Sequence, residues 1–145
     1  MLFRSLADPP GSAATDLQGD ANHDGVRSAS DDEFVELINA TAVSINISGW
    51  TLRTRAAGGT SETLRHTFAA GSTLLAGEAI VIFGGGSLDP ADQVFGCAQV
   101  VKASSGGLSL TNGGLTILVR DGSGTLIAQF SYGGTTGLKI GRAHV

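Results

Sequence analysis

"LTILVRDGSGTLIAQFSYG", residues 115–133, holds two short apolar runs on either side of Asp121-Gly122-Ser123-Gly124. Both runs are rich in β-branched and aromatic residues, which suit a pleated, half-buried surface. The four residues between them have the chemistry of a tight turn: carboxylate and hydroxyl side chains that bond their own backbone, and glycines that accept positive φ. The stretch therefore predicts a β-hairpin. The same pattern extends backwards through "EFVELIN", "VSINISGWTLRT", "LRHTF", "AIVIF", "QVVKA" and "GLSL", with Gly-, Ser- and Asp-rich breaks between them. "TNGG", residues 111–114, reads as a further hairpin turn between "LSL" and "LTIL". No dozen-residue window carries a helical stripe, so the chain is expected to be all-β, a sandwich or a barrel.

The ends read differently. "MLFRS" and "IGRAHV" look like translations of a common sequencing adaptor, read in opposite directions, which places residues 1–5 and about 140–145 outside the fold. On that reading the lack of a signal peptide carries no information. The remainder, roughly 134 residues, suits one domain with its own core. No apolar run is long enough to span a bilayer. Setting aside Arg4 and Arg142 leaves seven basic residues against 13 acidic, and the formal charge moves from −4 to −6. Such a domain repels phosphate backbones unless its cations cluster. Arg53, Arg55 and Arg65 are the one group close in sequence, so their placement decides whether nucleic acid is a plausible partner.

Seven of the 13 carboxylates (Asp16, Asp20, Asp24, Asp31, Asp32, Glu33 and Glu36) fall between residues 16 and 36, a concentration that calls for a counter-ion. Residues 6–18 are Pro-, Ser- and Ala-rich and read as a linker following the adaptor-like start. Residues 19–31 then match a calcium-loop template. Asp20, Asn22 and Asp24 occupy positions 1, 3 and 5, and Gly25 the sharp turn at position 6. Val26 would offer its carbonyl at position 7, Ser28 a hydroxyl or bridging water at 9, and Asp31 a carboxylate at 12. Asp32 is an alternative for the last position. Hard oxygen donors select a hard cation, so the expected ion is Ca²⁺, serving as a structural clip. The bland reading is a turn-forming loop without metal. A terminal Asp in place of Glu resembles the dockerin type of calcium loop, and no flanking helices complete an EF-hand.

Catalysis is not expected. His23 occupies a solvent-facing, non-ligand slot of the loop, His66 lies within a strand, and no serine has a nucleophile-elbow context. Gly84-Gly85-Gly86 lacks the Lys-Ser/Thr and helix of a phosphate loop. Cys97, in "VFGCAQVV", is expected to be a buried small hydrophobe, and Trp50 a core anchor rather than a carbohydrate platform. Phe34, Leu37, Phe68, Ile80, Ile82, Ile117, Ile127 and Phe130 are expected in the core. Asn39 and Asn46 fit the N-glycosylation pattern, by chance on a bacterial reading.

Four pieces of the chain, in order, resemble the lamin tail domain, and more narrowly its bacterial branch found in secreted and surface proteins: "EFVELIN", "SGWTL", "FAAGSTLLAGEAIVIF" and the final hairpin from Leu108 to Tyr132. The resemblance covers residues 32–134 and implies an immunoglobulin-like β-sandwich, with the tail from residue 135 outside it. It further implies an accessory module of an extracellular or cell-surface protein, contacting neighbouring domains or cell-surface and matrix components. Because such domains accompany secreted nucleases and phosphoesterases, a nucleic-acid-binding accessory domain is the alternative, which the net charge disfavours.

Overall fold

A computed structural model describes residues 1–91 and 93–133; the adaptor-like tail from about residue 140 lies outside the described residues. The strands, in chain order, are β1 (Leu2–Leu6), β2 (Phe34–Ile38), β3 (Ile45–Asn46), β4 (Thr51–Ala56), β5 (Thr63–Thr67), β6 (Thr73–Leu74), β7 (Ala79–Phe83), β8 (Gln99–Lys102), β9 (Gly114–Arg120) and β10 (Leu126–Gly133). Two four-stranded sheets, β1-β2-β7-β8 and β10-β9-β4-β5, accompany a short β3-β6 ribbon. All pairings are antiparallel except β7 with β8. The architecture is an immunoglobulin-like β-sandwich.

The hairpin predicted at residues 121–124 closes β9 onto β10. Asp121 Oδ1 accepts the backbone N–H groups of Ser123 and Thr125, each at 2.9 Å, and Gly124 supplies φ +87°. The inward side chains of the two sheets form one core: Val35, Leu37, Ile80 and Ile82 from one, Leu52, Ile117, Val119 and Phe130 from the other, sealed by Phe68 and Leu74. Each such side chain, fully buried, contributes about 1.5–3 kcal/mol of transfer free energy. Trp50 and Ile127 pack against the core's margin, half-buried.

Three expectations need correction. "GLSL" is not a strand: Leu108 and Leu110 are buried, but the Leu110 N–H bonds the Glu33 carboxylate instead of a neighbouring strand, and Ser109 adopts φ +51°. Phe34 faces away from the main core. It belongs to a second apolar cluster with Val81, Phe83 and Val100, on the outer face of the first sheet. The connection from β7 to β8 runs over that face and contributes Leu88, Phe95 and Ala98, so β7 is covered on both sides, which explains why "AIVIF" is continuously apolar. Cys97 is exposed, because it follows the short 3₁₀ turn Gln93–Phe95 in that connection rather than lying in a strand.

The start of the chain is part of the architecture described. The adaptor-like residues lie largely in β1, which pairs with β2 from Leu2↔Ile38 to Leu6↔Phe34 and buries Phe3. The linker-like segment is held against the loop that follows it: the Arg27 guanidinium donates to the carbonyls of Pro9 and Pro10, and the Arg27 N–H to Ala14. The backbone N–H groups of Ala13 and Ser12, bonded to the Asp16 carboxylate, keep it below the ordinary carboxylate range.

Candidate functional site

The acidic loop lies between the 3₁₀ turn Leu17–Gly19 and β2, and its winding is set by its own amides. Asp20 accepts the N–H groups of Asp24 (3.1 Å) and Gly25 (2.9 Å); Asn22 Oδ1 accepts Asp24 (3.0 Å), and Asp24 Oδ1 accepts Val26 (3.0 Å). These short-range bonds are what Asp and Asn side chains do where the chain curls. Gly25 takes φ +89°, as the position-6 reading requires, and His23 takes φ +59°.

The two carboxylates that could fill the last acidic position differ in their surroundings. Asp32 is fully buried; its Oδ1 accepts the Asn22 N–H at 3.0 Å and its Oδ2 the Ser28 N–H at 2.6 Å. Asp31 is half-buried, with Oδ1 near the Ser30 hydroxyl, and its own N–H bonds Ser28 Oγ. So Asp32 is tied to Asn22 and Ser28 within the loop, while the Asp31 carboxylate lies against Gly85, beside the glycine that faces Asn22 and Asp24.

The loop rests on a partner far away in sequence. Asp24 Oδ2 accepts the Ser87 N–H at 3.0 Å, Asn22 Nδ2 donates to the Gly85 carbonyl at 3.3 Å, and the Gly84 and Gly85 N–H groups bond the carbonyls of Glu33 and Asp31. A Cβ on Gly84 would collide with the Ser30 carbonyl, and one on Gly86 with the Asn22 and Asp24 side chains. The triple glycine is therefore a close-approach platform for the loop. Nothing in its sequence surroundings announced this, because the partner lies tens of residues upstream.

No Lys or Arg side chain pairs with Asp20, Asp24, Asp31 or Asp32 among the described residues. Nor do three or more His, Cys, Asp and Glu side chains converge as a ready cage among them. Any cation here would be shared with neutral oxygens, namely the Asn22 amide, the Val26 carbonyl and the Ser28 hydroxyl. Such donors suit Ca²⁺, which accepts carbonyl and amide oxygens alongside carboxylates.

The other titratable groups are structural in their geometry. Glu33 turns into the sandwich, where burial raises its carboxyl to about 7 although the Leu110 N–H and Arg65 favour its ionised form. Burial holds the His66 imidazole below 6.5; its Nδ1 accepts the Ser104 N–H, and its ring meets Phe68 edge-on. Arg53, Arg55 and Arg120 all lie near Glu62, whose carboxyl the Arg120 hydrogen bonds and the three charges hold below its ordinary range, and Arg65 stands apart from them. Arg53 and Arg120 both bind Glu62, at 3.2 and 2.6 Å, while Arg65 donates to Thr54 Oγ1 and Ser109 Oγ. Asn39 is fully buried, which removes it as a glycan acceptor, whereas Asn46 is exposed.

No helix among the described residues is long and apolar enough to cross a membrane. No curated protein matches the chain. The model of the lamin tail domain matches residues 12–134, a span that takes in the acidic loop as well as β2 to β10. The chain belongs to the lamin tail domain family.

Proposed function

We propose that this chain is a non-catalytic accessory module of a secreted or cell-surface bacterial protein. On this reading it is clipped by calcium at residues 20–32 and contacts neighbouring domains or cell-surface and matrix components. The observation that carries the calcium reading is that Asp20, Asn22, Asp24 and the fully buried Asp32 are tied into one loop through its own amides, and among the described residues no lysine or arginine forms an ion pair with these carboxylates. Those four side chains and the Val26 carbonyl would hold the ion, with Asp31 and Ser28 beside them. The ion would supply charge neutralisation, fixing the loop on its glycine platform and the platform on β7. Wet extracellular surroundings hold calcium at a concentration where a modest site is filled.

A site of this class binds with a Kd of about 10⁻⁴ to 10⁻³ M, so millimolar calcium adds about 1 kcal/mol to stability. In a domain of this size that is a rise in Tm of about 3–5 °C. The test is thermal melting of the full chain in excess chelator and in millimolar calcium, with an Asp20→Ala, Asp24→Ala variant alongside. A calcium-dependent rise that the variant lacks supports the clip; superimposable melts would leave the loop a polar turn. The acidic net charge weighs against the nucleic-acid alternative, as do the pairing of Arg53 and Arg120 with Glu62 and the turn of Arg65 to Thr54 and Ser109.

A further inference from the structure

The first sheet ends at β1, which is hydrogen-bonded within the sheet to β2 alone. It pairs with β2 along its whole length, from Leu2↔Ile38 to Leu6↔Phe34, while β7 takes the other side of β2. Its side chains alternate as a strand's do. Phe3 is 1% exposed and joins the main core, and Ser5, on the same side, is buried. Arg4 stands opposite Glu36 on the outer side, with Nε 3.3 Å from Glu36 Oε2.

The family match begins at residue 12, after β1 has ended. The strand that completes the first sheet, and the ring that fills a place in the main core, thus come from a segment outside the matched span. Residues 34–38 offer that segment a seat. It consists of a row of backbone N–H and C=O groups, a deep place for one aromatic ring, a close place for a small side chain, and a carboxylate for a base. Sheet edges recognise extended peptides in this way: the main chain supplies affinity, and places for alternate side chains supply selectivity.

We propose that this edge of β2 is a strand-accepting site. Its partner is an extended segment of a neighbouring polypeptide, with an aromatic, a basic and a small residue in succession. β1 is the occupant that this chain itself carries, with Phe3, Arg4 and Ser5 in those three places. Being tethered, β1 acts at an effective concentration of about millimolar, so free peptide does not displace it from the intact chain. The inference stands whether or not calcium fills the acidic loop.

The experiment uses the full chain with a specific protease site inserted between Asp8 and Pro9, cut under native conditions. A fluorescent peptide of residues 1–8 is then titrated, and its anisotropy is followed in chelator and in calcium alike. Saturable binding to the cut chain, and none to the uncut chain, is the expected result. A peptide carrying Phe3→Ala should bind at least about a hundredfold more weakly. One carrying Arg4→Glu should bind about three- to fivefold more weakly, and Glu36→Lys in the cut chain should reverse that order. Phe3→Asp in the uncut chain supplies a second route, because a carboxylate in the core expels β1. That variant is expected to keep a cooperative melt and to gain binding of the wild-type peptide. Failure of both the cut chain and Phe3→Asp to bind it, or equal binding of a scrambled peptide, would overturn the proposal. A dimer of the uncut chain that Phe3→Asp dissociates would also overturn it, by making a second copy the occupant.

Discussion

Asp32 reaches back ten residues to take the backbone N–H of Asn22, and with its other oxygen it takes that of Ser28. One fully buried carboxylate thus ties the start, the middle and the end of the acidic loop together. Asp31, its neighbour in sequence, makes no such closure.

Asp32→Ala leaves two backbone amides without their acceptor and is expected to cost about 2–3 kcal/mol in chelator. Asp31→Ala should cost under about 1 kcal/mol. Under the calcium reading the first change also removes the calcium-dependent rise in Tm and the second retains most of it. Denaturant melts of both variants, with and without calcium, separate these outcomes; a calcium-dependent rise lost in Asp31→Ala and kept in Asp32→Ala would give the ligand position to Asp31.

Gly84→Ala tests the platform. The new methyl meets the Ser30 carbonyl, which is backbone and cannot swing aside. The expected loss is about 2–3 kcal/mol, from overpacking. Gly113→Ala, where a Cβ would meet nothing, is the control. A Gly84→Ala melt no lower than that of the control would show that the loop docks less tightly than these contacts require.

Asn39 donates through Nδ2 to the carbonyls of Val43, Leu74 and Leu75, and its Oδ1 accepts the Thr41 N–H and hydroxyl. It fastens the turn after β2 to the chain around β6. Asn39→Asp places a carboxylate among three carbonyl oxygens, so a loss of about 3 kcal/mol or more is expected, larger than for Asn39→Ala. Chemical denaturation of the two variants gives the order directly, and the reverse order would mean the three donor bonds matter little.

Glu33 and His66 oppose each other in pH. Burial raises Glu33 from the ordinary 4.5 to about 7, so its contribution to stability is complete below 4.5 and is lost as pH rises toward 7. Burial lowers His66 from 6.5, so its contribution is complete above 6.5 and is lost as pH falls below it. In chelator, Glu33→Gln should gain roughly 1–3 kcal/mol relative to wild type between pH 4.5 and 7, because a neutral amide carries no ionisation penalty. The acid-side loss should persist in that variant and shrink in His66→Gln. Parallel stability–pH curves for wild type and Glu33→Gln would show that the carboxyl is not desolvated.

Local chemistry is what the sequence determined by itself. The Asp121–Gly124 turn and the Asp20-Asn22-Asp24-Gly25 curl are each fixed by side chains bonding backbone groups within about five residues, and the short strands announce themselves by their β-branched and aromatic residues. The inward alternation of Leu37 with Val35, and of Ile80 with Ile82, was legible for the same reason: one strand's period sorts its faces whatever its neighbour is.

Everything that needed a distant partner was decided by the tertiary structure. The order of the strands determined that the β7–β8 connection crosses the outer face, which exposes Cys97 and takes Phe34 from the main core into a second apolar cluster. The packing of the loop on Gly84–Gly86, across 63 residues of chain, gave the glycines their purpose. The Asn22 and Ser28 amides hold Asp32 buried, and a carboxylate from Glu33 took the amide that would have made "GLSL" a strand. A residue's propensity is local, but its hydrogen-bond partner and its burial are settled by whichever segment folding brings against it.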